Sequence, residues 1–392
     1  MPSSSTVSRL GMKGPSGWPR WWQVCALFAA WTLFSVFVFS RFSTLGDSEA
    51  YLGGRYDDDG AMRTVVITRI ATTISSLTGN AVMTQLAFSL AAAAGVIYLI
   101  HQAGLHGRYR WPLLMILLVP NFGIWASVAG RESLFIALLG FFLGAVLGYF
   151  HRPRLHHLLL AVVCVAGMIF IRAPYGLGFA LFLAMFLLYR SGPRTRASAG
   201  VQVLLLSMAA LVVLIIVWQY LDDYITIEVL PRAESYFTLH SDATRTWVHI
   251  DDAADLFASL WWSLPLALIG PTPMEVAERP LMLPFLLSGM VVFACLLRSL
   301  VLAFRAPPGM LRKILVVGWL PSLMFVLIAY VPFGIYNPGS AIRYASSFLL
   351  FVVFPSLLLS AASSRSPSTD TRDASRADLP ETQRQVVAVE VQ

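Results

Sequence analysis

Six charged side chains, each next to a long apolar run, could together handle an anionic substrate: Asp47, Glu49, Arg131, Glu132, Arg172 and Arg343. A planar guanidinium grips phosphate oxygens in pairs, so converging arginines would clamp a diphosphate. A carboxylate within reach would accept a proton as general base. Taken one at a time, the same residues have ordinary roles. An arginine at a membrane edge can snorkel to lipid phosphates, and an aspartate ahead of a helix can cap it.

Four polar, helix-breaking segments carry these residues. The first, 41–80, opens with Gly46-Asp47-Ser48-Glu49-Ala50-Tyr51 and continues through Asp57-Asp58-Asp59. Its second half, 61–77, puts Val65, Val66, Ile70, Ile74 and Leu77 on one helical face, with Arg63 and Arg69 off it. That pattern predicts an amphipathic helix on a membrane surface. The second segment, 120–133, is a hairpin from Pro120 through Trp125 and Ser127 that brings Arg131 and Glu132 to a helix start. Arg172 lies in Ile171-Arg172-Ala173-Pro174, and Arg343 in the stretch Asn337 to Tyr344.

The elements that must position them are apolar. Of 392 residues, 57% are hydrophobic and 12% charged, and the mean hydropathy is +0.70; a soluble domain is roughly a quarter charged. Runs long enough to cross ~30 Å of hydrocarbon fall at 21–40, 81–101, 111–128, 132–150, 156–172, 174–190, 201–221, 283–304, 314–333 and 344–361. The expected fold is therefore all-α, a polytopic integral membrane helix bundle of about ten transmembrane helices. Interfacial amphipathic helices are expected in the first and the longest outer loops. Residues 18–362 form a single transmembrane domain between disordered cytoplasmic tails, 1–17 and 363–392. Alternate connections hold Arg108/Arg110, Arg152/Arg154, Arg190/Arg194/Arg196 and Arg305/Arg312/Lys313 and no acid. The positive-inside bias makes these cytoplasmic, with both termini, and the acidic connections 41–80 and 222–282 extracytoplasmic. The net charge of +7 is split among short loops, which argues against nucleic acid. Cys25, Cys164 and Cys295 all fall in apolar runs, as packing residues would.

The order Gly46-Asp47-x-x-x-Tyr51, then Pro120, Trp125, Ser127, Arg131 and Glu132, then Asn337, Arg343 and Tyr344 resembles bacterial oligosaccharide repeat-unit polymerases of the Wzy and EpsG-like type. These are membrane glycosyltransferases that use polyprenyl-linked donors. The resemblance implies an inner-membrane protein whose partners are a polyprenyl-linked oligosaccharide, membrane lipid and other polysaccharide assembly proteins. It assigns Asp47 or Glu49 as base and Arg131, Arg172 and Arg343 as diphosphate clamp, with Glu132 orienting Arg131. Tyr51, Trp125, Asn337 and Tyr344 would bind substrate. No cofactor or metal is required, although Asp47 and Glu49 are hard ligands that a divalent cation accepts. The long connection 222–282, with Arg232, His240, Asp242 and Trp261-Trp262, is the expected site of acceptor recognition. A carrier or flippase of an anionic lipid-linked solute is the alternative; such proteins usually show an internal repeat and charges in mid-span, and neither is visible here.

Overall fold

A computed structural model describes residues 20–55, 61–191, 199–231, 233–234 and 245–363. The two tails, the Asp57-Asp58-Asp59 run, Arg194, Arg196, Arg232, His240 and Asp242 lie outside them. All regular elements among the described residues are helical. The protein is an all-α multi-pass membrane bundle, with seven helices long and apolar enough to cross a membrane, or eight if one bent pair is a single span.

Helix α1 (Trp21–Phe37) leads through the short α2 (Ser48–Leu52) and α3 (Met62–Thr78) to α4 (Ala81–Ala103). The expected run 111–128 is two helices, α5 (Trp111–Leu118) and α6 (Pro120–Ala126). Pro120 forces extended backbone on the residue before it, and Val119 has ψ 139°. Then follow α7 (Arg131–His151), α8 (Leu155–Ile171), α9 (Ala173–Ser191) and α10 (Ala199–Asp223). Helix α11 (Ala253–Ile269) and α12 (Pro273–Glu278) precede α13 (Leu283–Arg305). The stretch 256–269 was expected as an interfacial helix inside an outer loop, yet it lies within 253–278, which has the length and apolarity of a span. Helix α14 (Met310–Gly334) contains a π-helical turn at Ile314–Trp319. The expected last span, 344–361, is divided among α15 (Pro338–Ser346), α16 (Leu349–Val352) and α17 (Phe354–Ser363).

The centre is the pair α4 and α7, which approach through glycine. A Cβ on Gly95 would strike the Ala137 carbonyl, and one on Gly140 would strike the Gly95 backbone. With lipid as solvent, such small-residue contacts supply the packing energy that water would otherwise drive. Around them Phe142, Phe179, Phe182, Phe351 and Phe354 interlock edge to face, in geometry favoured by the ring quadrupole. Tyr330 Oη donates to the carbonyls of Ala267 (2.6 Å) and Ala341 (2.8 Å), tying α14 to α11 and α15.

Two ends of the bundle are chemically distinct. At one lie Asp47, the start of α7, the α8–α9 break and α15. At the other lie the C-termini of α4 and α7 and the start of α8, where Ser360 of α17 donates to the Gly104 carbonyl. Helix α3 packs Ile67 and Ala71 against Tyr51 and Phe88. The face expected to meet lipid is only partly the exposed one: Val66, Ile70 and Leu77 are exposed, while Val65 and Ile74 are half-buried.

Candidate functional site

The loop after α1 turns at Gly46, whose φ of +61° is left-handed, and Asp47 takes the N-cap position of α2. Its side chain makes no capping bond. Instead Asp47 Oδ2 accepts from Arg131 Nη2 at 2.6 Å and Arg343 Nη2 at 2.7 Å, with the Tyr51 hydroxyl at 3.4 Å. The loop is held down from below. Gln85 of α4 donates to the Ser48 hydroxyl at 2.7 Å and accepts from the backbone N–H of Ala129.

Glu132, in the first turn of α7, is 2% exposed. Helix N-termini favour a carboxylate there, but a buried charge also needs partners. Glu132 Oε1 accepts from Arg172 Nη2 at 2.5 Å and Arg343 Nε at 2.7 Å. Arg172 sits between α8 and α9, just ahead of Pro174, and also donates to Ser347 Oγ at 2.8 Å. Arg343 projects from α15, which starts at Pro338 with Asn337 as its cap, and bridges both carboxylates. Aromatic faces back the cations: Tyr344 lies 4.5 Å from the Arg172 guanidinium and Trp125 5.4 Å from that of Arg343, distances at which ring quadrupoles attract cations.

Exposure grades outward through this cluster. Glu132 is deepest, the side chains of Arg172 and Arg343 are 9% and 11% exposed, and those of Arg131 and Asp47 are 21% and 24%. Arg131 and Asp47 therefore form its accessible edge. Burial alone would raise the Asp47 carboxyl, but Arg343 and Arg131 outweigh it and hold the group well below the usual carboxylate range. Burial pushes the Tyr51 hydroxyl up. It stays a protonated donor.

A fourth arginine joins from α3. Burial, then Arg131 and Arg172, push Arg63 below the ordinary arginine value, so its charge lies in their field; it makes no ion pair among the described residues. Sequence reasoning set Arg63 aside as the polar face of a surface helix. The readable signal was its place one turn into a helix whose buried face packs on α2. In the cluster itself three guanidiniums, of Arg131, Arg172 and Arg343, face two ion-paired carboxylates, which leaves a positive surplus.

The expected residues are brought together except Glu49, which is exposed and forms no ion pair among the described residues. Three expected roles change. Glu132 orients Arg172 and Arg343, not Arg131, because neighbours in a helix point about 100° apart. Asn337 caps α15, its Oδ1 accepting from Gly339 N (2.8 Å) and Ser340 N (3.2 Å), so that oxygen serves the fold and not a substrate. Tyr51 and Trp125 are buried and support Asp47 and Arg343. No group of three or more His, Cys, Asp or Glu among the described residues is placed to hold a metal. In the connection 222–282, Arg245 makes a two-pronged pair with Glu275 (2.7 and 2.9 Å) and donates to the Ile335 carbonyl at 3.0 Å and to that of Gly270. That fixes the α11–α12 loop to the end of α14.

Fold and site define an all-α multi-pass membrane protein with a buried arginine–carboxylate cluster at one end. No protein-family model, curated protein or solved structure matches the chain.

Proposed function

We propose that the protein is a membrane glycosyltransferase of the repeat-unit polymerase kind, acting at the extracytoplasmic face of the plasma membrane on polyprenyl-diphosphate-linked sugars. The observation that carries this reading is the convergence of three arginines, Arg131, Arg172 and Arg343, on only two carboxylates, Asp47 and Glu132. Such a surplus, at a helix-end depth where a lipid diphosphate rests, suits a dianionic leaving group. The basic connections at the other end support the orientation, since cytoplasmic loops carry the excess of arginine and lysine.

In the reaction, a sugar hydroxyl of one lipid-linked unit attacks the anomeric carbon of another. A glycosidic C–O bond forms, the anomeric C–O bond to the diphosphate breaks, and polyprenyl diphosphate leaves with the electron pair. Arg131, at the accessible edge, meets the diphosphate; Arg172 and Arg343 are held behind it by Glu132. The hydroxyl proton passes to a carboxylate. Asp47 is a weak acceptor because two guanidiniums stabilise its charged form, so its role is to fix Arg131 and Arg343. Glu49, exposed in the first turn of α2, is the base. The positive surplus also disfavours a divalent cation at Asp47.

The test is the surface glycan of cells lacking the protein, resolved by size and complemented with wild type or Arg131→Gln. Wild type restores long chains and Arg131→Gln does not, at equal protein level. A normal ladder in the deletion strain contradicts the proposal.

A further inference from the structure

At the end of the bundle opposite the arginine–carboxylate cluster, a second cationic site stands open. The last turns of α4 and α7 and the first turn of α8 enclose a cavity of about 600 Å³. Its walls carry His101, His151, Arg152, Arg154, His156 and His157, and among the described residues no acidic one lines it. Several contacts fix this geometry. His157 Nδ1 lies 3.2 Å from the Tyr98 hydroxyl, and His151 Nε2 lies 3.2 Å from the Gln102 carbonyl. The His157 ring fills the space where a side chain on Gly148 would be. The rings of His156 and His157 lie 4.1 Å apart.

Arg152 and Arg154 are exposed and form no ion pair among the described residues. Metal binding does not account for the imidazoles, because none of the described His, Cys, Asp and Glu form a group of three able to hold an ion. Guanidinium and imidazole donors around a cavity without acids fit a phosphate group, which accepts several charge-assisted hydrogen bonds at once. The first turn of α8 adds to this field, since its N-cap residue Arg154 supplies no side-chain acceptor to its amides.

We propose that this cavity binds a phosphate or diphosphate group, carried either by a soluble molecule or by a lipid headgroup of the adjoining leaflet. The site is independent of the glycosyltransferase reading. The test uses the full chain purified in detergent, as wild type and as Arg152→Gln/Arg154→Gln. A charge-matched control, Arg108→Gln/Arg305→Gln, removes two exposed arginines that do not line the cavity. Inorganic pyrophosphate is titrated by calorimetry, and retention of phosphatidic acid is read by native mass spectrometry.

Pyrophosphate binding that weakens roughly 10- to 100-fold in Arg152→Gln/Arg154→Gln but not in the control supports the site with a soluble ligand. Retention of phosphatidic acid, lost in the cavity variant alone, supports it with a lipid. A binding event that persists in both variants belongs to the opposite cluster. If the cavity variant matches wild type with both probes, or the control loses binding equally, the proposal falls.

Discussion

Arg343 Nε donates to Glu132 Oε1 at 2.7 Å across 211 positions of sequence, while its Nη2 reaches Asp47 Oδ2 at 2.7 Å. One guanidinium thus joins α15, the start of α7 and the loop after α1. The cluster is therefore part of the tertiary structure as well as a charge reservoir, and its members differ in what their loss does.

Glu132→Gln takes from the buried Arg172 the carboxylate it pairs with and leaves Arg343 only Asp47, shared with Arg131. Removing one partner of a buried ion pair costs about 3–5 kcal/mol, so the purified variant melts well below wild type. Glu132→Gln/Arg172→Gln recovers part of the loss because the orphaned charge goes too. Wild-type melting of the single variant would mean that Glu132 is not the anchor.

Arg172→Lys and Arg343→Lys keep the charge but lose the forked donor geometry. Each guanidinium makes two distinct polar contacts, to Glu132 and Ser347 or to Glu132 and Asp47. Both variants are expected to fold and to make short products. Full product length at normal protein level would return these arginines to a simple snorkelling role.

Gly46→Ala places a Cβ 2.5 Å from Arg343 Nη1, at a φ of +61°. The left-handed backbone costs ~1–2 kcal/mol, and the arginine must also move. Gly79→Ala is the control, with φ of +63° and nothing within 4 Å. A larger stability loss in Gly46→Ala than in Gly79→Ala, with activity lost only in Gly46→Ala, is expected. Equal activities would show that the position of Arg343 does not matter.

The pH dependence of stability isolates the Asp47 pairs. Because its folded value is depressed, their contribution is fully present above the ordinary aspartate value of about 3.9 and is lost as pH falls below it. The melting difference between wild type and Asp47→Asn should stay constant from pH 8 to about 4 and shrink only below. A difference that already shrinks near pH 6 would contradict the paired carboxylate.

Much of this was legible in the sequence, because apolar run length and loop charge are set by the bilayer. The all-α membrane fold and the grouping of Asp47, Arg131, Glu132, Arg172 and Arg343 follow from those signals. The breaks within 338–363 were hidden, since hydropathy averages over a proline that still lies in an apolar run, and Pro120, read as opening a hairpin, starts helix α6 instead. Pairing within the cluster was equally hidden. Adjacency suggested Arg131 with Glu132, whereas helix geometry sends Arg131 to Asp47 and Glu132 to two distant arginines. Arg63 was missed because a half-buried arginine on an amphipathic helix has the same pattern as a solvated one. The capping Asn337 marks where motif order outran side-chain direction.

The account rests on the arginines reading a lipid diphosphate, and the most direct measurement is the binding of farnesyl diphosphate and farnesyl monophosphate to the purified protein, as wild type and as Arg131→Gln. Wild type should prefer the diphosphate by roughly 10-fold or more, the worth of an added charge-assisted hydrogen bond, and Arg131→Gln should lose most of that preference while still binding the monophosphate. Equal affinity of wild type for the two lipids, or a preference unchanged in Arg131→Gln, would contradict it.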